Sequence, residues 1–599
     1  MPKPTAAEGV TWDLTDLYAT PHDAALANDL ATALQRAQAF EARYRGTINV
    51  PDGPSGPWVA TALAEFESIS EQADKPSAYA ELVHAADARP PAHGALVART
   101  QEQQSQVHNH LVFFTLEWMA LDEPVARRII DAPECARYRH YLTTVRQYRP
   151  HILSEPEEKL LEETANTGPR AFSRLFDELL SSLAFEVEID GQRQLLNESG
   201  VLALLHDARR PVRQQAAAAL TEQLRRQRLV LTFILNVTAQ HHGLNDRLRR
   251  FPDPMAARNL SNQIDPATVS ALISACERHA DIVADYYRLK RHLLGVDVLY
   301  DYDRYAPVAS ESECWPWSAA RDLVLRAYGA FSPRMRDIAE VFFERRWIDA
   351  AVREGKRGGA FSARTVPAAH PYVLLNYLGF FRDVATLAHE LGHGVHQYLS
   401  RDRGHLQSDT PLTLAETASV FGELLVFEQL RRQGGSATTL AFLCEFIEDA
   451  FGTVFRQIAL TRFEQRVHER RRQQGELSSD EIGTVWLEVN AAVYGDAVVL
   501  TDDYRWWWAY IPHFVHSPFY CYAYSFGELL VLALYELYRQ RGEAFVPQYL
   551  ELLAAGGSES PAELLRRIGV DIRQPEFWEL GLNALRGMVT EAKQLATQR

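Results

Sequence analysis

Apolar residues recur at three- and four-residue spacing along most of the chain, beginning with Leu26, Leu30 and Leu34 in a segment that runs to Gly46. That period puts one apolar stripe on a helix, and its repetition predicts a mainly helical protein. PDGPSGP at 51–57 and RPPAHG at 89–94 read as loops within a helical array. Ser154 with Glu157, ahead of LLEETANTG, reads as a capping box whose helix is stopped by Gly168 and Pro169. The period drops to two at Phe185, Val187 and Ile189, and Asp190-Gly191 followed by QRQLL completes a hairpin pattern. The main boundary is expected near this hairpin, between regions 1–195 and 196–599. A second strand-like stretch runs from GGAF at 358–361 through HPYVLLNYLG at 370–379.

Composition narrows the function. Of 599 residues, 47% are hydrophobic and 23% charged, which excludes a disordered or low-complexity chain. Against 62 basic residues stand 78 acidic ones, a formal charge of -16, so nucleic acid and anionic membrane are not expected partners. Cys135, Cys276, Cys314, Cys444 and Cys521 are scattered and never form a CxxC pair. With no secretory leader pattern and no long apolar run, they favour a reducing cytoplasm.

The chemistry concentrates at residues 389–393, His-Glu-Leu-Gly-His, in a segment where Val384, Leu387, Ala388, Leu391 and Val395 keep helical spacing. Positions i and i+4 share one helix face, so His389 and His393 can present two imidazoles to one cation while Glu390 stands beside it. A catalytic zinc needs a third protein donor and an open position for water. A histidine ten residues after the first would be one route, but position 399 is Leu. His396 reads as a packing or hydrogen-bonding residue, since three ligands from one straight helix make a poor tetrahedron. PLTLAETASVFGELLVFEQL from 411 reads as a second helix, apolar on most sides, with Glu416 in its first turns. A carboxylate there is costly unless paired or metal-bound, which makes Glu416 the expected third ligand. Glu423, seven residues on, could orient a ligating histidine.

GKRGGAF, PYVLLNYLGFFRDVATLAHELGHGVHQYLS and TPLTLAETASVFGE resemble the oligoendopeptidase F branch of the thimet-oligopeptidase family of zinc metallopeptidases, as do WDLTDLY at 12–18, YGDAVVL at 494–500, IPHF and FYCYAYSFGE. The resemblance spans essentially the whole chain. It implies an all-α fold with few short strands, two lobes forming a bowl around a deep channel, and one zinc per chain at its floor. Region 1–195 would be the N-terminal helical lobe and 196–599 the catalytic domain. His389, His393 and Glu416 match the family's zinc ligands, Glu390 its catalytic base, and His513 the histidine facing the scissile carbonyl. Tyr524 matches the oxyanion-stabilising hydroxyl, with Tyr520 and Tyr522 as alternatives. LGFFRD departs from the family's small polar run ahead of the metal helix, which bears on substrate preference.

The reading is a zinc endopeptidase that hydrolyses internal bonds of short, unstructured oligopeptides. Gly358, Gly359, Ala360 and Phe361 suggest an edge strand able to pair with an extended substrate. The rivals are a zinc carboxypeptidase or dipeptidase of similar fold, and a helical binding protein without catalysis. Asp297, Asp301 and Asp303 read as a polar turn, since the Gly and Glu of a calcium loop are missing. His108, His110, His241 and His242 read as surface residues, and Trp506, Trp507 and Trp508 as packing between helices.

Overall fold

The first apolar stripe forms the helix Ala24–Tyr44, opened by Asp23, whose carboxylate accepts the Ala25 N–H at 2.9 Å. In the computed structural model of the chain, which describes residues 6–308, 314–432 and 436–598, helices Gly56–Ala86 and Pro91–Ala120 pack on it and on each other. Their shared core contains Ala33, Ala37, Phe40, Leu63, Ile69, Phe113, Phe114 and Trp118. RPPAHG is only partly a loop, because Pro91 opens the third helix and His93 and Gly94 sit in its first turn. Proline fits there because the first N–H groups of a helix have no intrahelical acceptor to lose.

The Ser154–Glu157 capping box starts the helix Glu155–Ala165, and Gly168 and Pro169 open the next, Pro169–Ser182. Strands Phe185–Ile189 and Gln192–Leu196 pair antiparallel around Asp190 and Gly191, whose φ values of 53° and 76° suit a tight hairpin turn. Phe185 and Val187 face a core that also holds Trp486, Trp506, Trp507 and Trp508. The "polar turn" is a buried ion-pair site: Asp303 accepts Arg210 at 2.6 Å and Arg213 at 2.9 Å. His110 is half-buried against Glu41, and His242 meets the Pro254 carbonyl at 2.8 Å. These two histidines are not simply solvated, because one ring nitrogen of each finds a fixed partner.

Helix makes up 70% of the chain, so the all-α class holds. The chain folds into two compact units, each assembled from three stretches. One comprises 1–149, 311–433 and 537–570; the other comprises 150–310, 434–536 and 571–599. They interleave along the sequence, so neither ends at residue 195, and the hairpin lies inside the second unit.

A three-stranded sheet in the first unit prepares the site. Tyr372–Leu374 is central, with Ile348–Asp349 parallel on one side and Phe361–Ala363 antiparallel at the other edge. Asp349 is buried and holds Arg353 at 2.6 Å and Lys356 at 2.7 Å, which anchors the start of GKRGGAF. Asn376 Nδ2 then clamps the carbonyls of Arg357 at 2.9 Å and Gly359 at 2.8 Å. Gly359 takes φ +79°, a conformation that a side chain would strain.

Candidate metal centre

HELGH lies within the helix Phe381–Ser400. Asp383 Oδ2 accepts the backbone N–H groups of Leu378, Gly379 and Phe380 at 2.9, 2.8 and 2.9 Å, fixing where the helix begins. Val384, Leu387, Ala388, Leu391 and Val395 are fully buried and seat the helix in the core. His389 and His393 project from another side, and their Nε2 atoms lie 3.3 and 3.4 Å from one oxygen of Glu416.

Glu416 is not inside a continuous helix. Helix Leu412–Ala415 stops, Glu416 caps it, and a new helix begins at Ser419. Ser419 Oγ donates to Glu416 Oε2 at 2.7 Å and holds the carboxylate in place. The break lets the carboxylate leave an apolar surface that would otherwise strand it.

Two glycines bring this segment against the motif helix. A Cβ on Gly392 would stand 2.3 Å from the Ala418 carbonyl oxygen and 2.6 Å from the Ser419 Cα. A Cβ on Gly422 would stand 2.3 Å from the Tyr328 hydroxyl and 2.9 Å from the Ala388 carbonyl. Tyr328 itself donates to the Ala388 carbonyl at 2.5 Å. Backbone therefore meets backbone across the helix pair, and a carboxylate on one can reach imidazoles on the other.

The electrostatics follow from that closeness. Burial disfavours a charged His389, yet the hydrogen bond to Glu423 and the charges of Glu423, Glu416 and Glu390 outweigh it and raise its pKa to about 9. Its Nδ1 lies 2.5 Å from Glu423 Oε1, which leaves Nε2 directed at Glu416. Burial alone would raise Glu416, but His393 and His389 hold it down at about 2. Burial raises the pKa of Glu390, opposed by the two histidines. Its Oε2 is buried and has no hydrogen-bond partner among the described residues. His396 is not in the cluster; burial and His393 push it down to about 3, the mark of a neutral packed imidazole.

The donor atoms of His389, His393 and Glu416 lie within 4.8 Å of one another. Ligand atoms about 2.0 Å from a tetrahedral centre stand roughly 3.3 Å apart, as the two histidine–glutamate distances do. Two imidazoles, one carboxylate and an orphaned buried carboxylate oxygen alongside are a donor set that fits a divalent transition metal. Glu390 and His393 also line a cleft of about 380 Å³ together with Ala360, Phe361 and Ser362 of the edge strand.

The second unit carries the other sequence candidates. His513 Nε2 and the Tyr524 hydroxyl are 3.3 Å apart, and the Tyr520 ring lies 5.9 Å from the His513 ring. Burial, with Arg456 and His516, pushes the His513 pKa down, so its imidazole is neutral at neutral pH. Tyr522 does not join them. It is fully buried, donating to Asn259 Oδ1 at 2.8 Å and accepting from Asn262 Nδ2 at 2.9 Å.

The family model for peptidase family M3 matches residues 328–584, a span that holds the whole metal cluster and His513 to Tyr524, and the oligopeptidase F model matches residues 117–185. The chain belongs to peptidase family M3. Among its relatives, oligopeptidase PepF of Bacillus subtilis is 25% identical over 98% of this chain and 87% of its own length. An oligoendopeptidase F homolog of Lactococcus lactis is 26% identical over 98% and 97%. A solved structure from Chlamydophila abortus superposes with a TM-score of 0.88 at 24% identity, covering 99% of this chain and all of its own. The oligoendopeptidase-F structure from Enterococcus faecium gives 0.71 at 23% identity, over 96% and 98%.

This M3 peptidase is a metalloendopeptidase, and the two glycines and Tyr328 at its metal helices are residues that sequence reasoning passed over. Gly392 stands between the motif histidines, where glycine costs helix propensity, and that cost was the available signal. Tyr328 lies 61 residues before His389 and had none. No described helix is long and apolar enough to cross a membrane, and none of the five cysteines is joined in a disulfide.

Proposed function

We propose that this M3 peptidase is a zinc-dependent oligoendopeptidase holding one zinc per chain through His389, His393 and Glu416. The observation that carries the reading is the convergence of both Nε2 atoms on one Glu416 oxygen, at 3.3 and 3.4 Å, beside Glu390. Zinc, when bound, supplies a Lewis acid that polarises the peptide carbonyl and lowers the pKa of water toward neutrality. Glu390 takes the proton of the attacking water on its unpartnered Oε2 and passes it to the departing amine nitrogen. Its burial, by raising its proton affinity, brings it closer to the range a base and acid needs. Glu423 orients His389 through Nδ1.

His513 and Tyr524 serve as donors to the developing oxyanion, a contribution on the order of 3 kcal/mol. The family motif supports that role, together with the 3.3 Å contact that pairs the two groups and the neutral state of the imidazole. Gly358, Gly359, Ala360 and Phe361 receive the substrate backbone. Phe361–Ala363 pairs with Tyr372–Leu374 on one side and is the edge of its sheet on the other, and it shares the cleft with Glu390. Backbone pairing is blind to side chains, so the substrates are short, unfolded oligopeptides, in keeping with the names of the relatives. Cysteines outside any disulfide and an acidic composition support a cytoplasmic site of action.

Elemental analysis of the purified protein tests the metal, with about one zinc expected per chain. Digestion of a decapeptide blocked at both ends, with and without a chelator, tests the reaction. Internal cleavage abolished by chelation and restored by Zn²⁺ is expected. Refusal of the blocked peptide would move the assignment to a carboxypeptidase, and absence of stoichiometric metal would leave a binding protein.

A further inference from the structure

Arg364 follows the edge strand directly and lies two residues beyond Ser362, so along extended backbone the two side chains leave on the same side. Both line the cleft of about 380 Å³ that contains Glu390 and His393, and Arg364 is its single lysine or arginine. Nη1 donates to Ser408 Oγ at 2.9 Å, and the Ser408 carbonyl in turn accepts Ser400 Oγ at 2.8 Å, at the end of the motif helix. The arginine is thereby fixed to the same helix that carries the histidines. Its nearest carboxylate, Asp409 Oδ2, stands 3.7 Å from Nη2, beyond hydrogen-bond length, and that side chain is 75% exposed. Such a loose, solvent-screened pair contributes little. A guanidinium presents five donors, and among the described residues Arg364 uses one of them for a hydrogen bond. The rest of its fork matches one ligand chemistry best, a carboxylate bound by two parallel hydrogen bonds.

We infer that Arg364 is a specificity-determining residue that recognises a carboxylate on the peptide lying along the edge strand, either an acidic side chain or a free C-terminus. The inference rests on the peptidase reading above. Backbone pairing alone gives no preference among side chains, whereas one arginine at the end of the strand gives preference at one position. The guanidinium does not touch the reacting bond, so its effect falls on selection and not on the chemistry of Glu390.

The test uses two sets of peptides. The first is a decapeptide blocked at both ends, with Gln replaced by Glu at each position in turn. The second is one neutral peptide with its C-terminus free or amidated. kcat/KM is measured for the wild-type holoenzyme, Arg364→Met and Asp409→Asn. The wild type should prefer the carboxylate member in one set by about tenfold or more, the usual weight of a hydrogen bond to a charged group. The set that shows the preference identifies the source of the carboxylate. Arg364→Met should bring that ratio close to one, and Asp409→Asn should keep or sharpen it by removing the competing anion. Because each ratio is taken within one variant, partial misfolding cancels. Equal rates in both sets for the wild type, or a ratio unchanged in Arg364→Met, would overturn the inference while leaving the peptidase reading standing. A wild type that cleaves none of the peptides would overturn both.

Discussion

Gly392 lies directly against the backbone of Ala418, so close that a Cβ would stand 2.3 Å from its carbonyl oxygen. The distance between the motif helix and the Glu416 segment is thus set by a missing side chain. Gly392→Ala should raise intrinsic helix propensity by about 1 kcal/mol, yet the clash should cost about 1–3 kcal/mol and push Glu416 away from the histidines. Thermal unfolding and zinc occupancy after dialysis measure the two effects. A variant with higher Tm and full occupancy would show that the contact is slack.

Glu390→Gln separates metal binding from catalysis. The substitution keeps size and burial and removes the proton acceptor, so zinc content should stay near one per chain while kcat falls by roughly 10²-fold to 10⁴-fold. Loss of zinc together with activity would assign Glu390 to the metal.

The tyrosines divide by environment. Tyr522→Phe removes a hydroxyl that satisfies Asn259 and Asn262 in the core, leaving buried groups unpaired at a cost of about 1–3 kcal/mol each. Stability should fall and kcat should change little. Tyr524→Phe should instead lower kcat more than it raises KM, because the role proposed for its hydroxyl is exerted in the transition state. Denaturant unfolding paired with steady-state kinetics distinguishes them, and the opposite pattern would exchange the two roles.

A pH effect on stability is expected from Glu464. Burial raises its pKa to about 8 from an ordinary 4.5, against the Phe519 N–H and Arg258. Its Oε1 accepts Phe519 N at 2.7 Å, holding a residue with φ of 59° between His513 and Tyr524. The folded protein binds this proton more tightly than the unfolded chain does. The stabilisation is complete below about pH 4.5 and declines as pH rises toward 8, by at most about 1.4 kcal/mol per unit. Glu464→Gln keeps the acceptor for Phe519 and cannot titrate, so its stability should decline less between pH 5 and 8. Parallel profiles for the two proteins would rule this out.

The sequence by itself determined what depends on short spacings. Leu26 and Leu30 specify a helix through local period, Asp190-Gly191 a hairpin through φ preference, and His389 with His393 a shared face through the turn of one helix. Family motifs added the candidate partners but not their surroundings. Only the tertiary structure decided that the helix around Glu416 breaks, because a carboxylate must leave an apolar surface to meet imidazoles from another element. It also decided that Tyr522 turns into the core while Tyr524 meets His513, although both sit in one aromatic run. The partners of Tyr522, Asn259 and Asn262, lie more than 250 residues away in the chain, and no local pattern carries that information. The same holds for the two compact units. They are assembled from separated stretches because burial rewards contact in space regardless of order along the chain, so the hairpin marks a turn within one unit and not the edge of either.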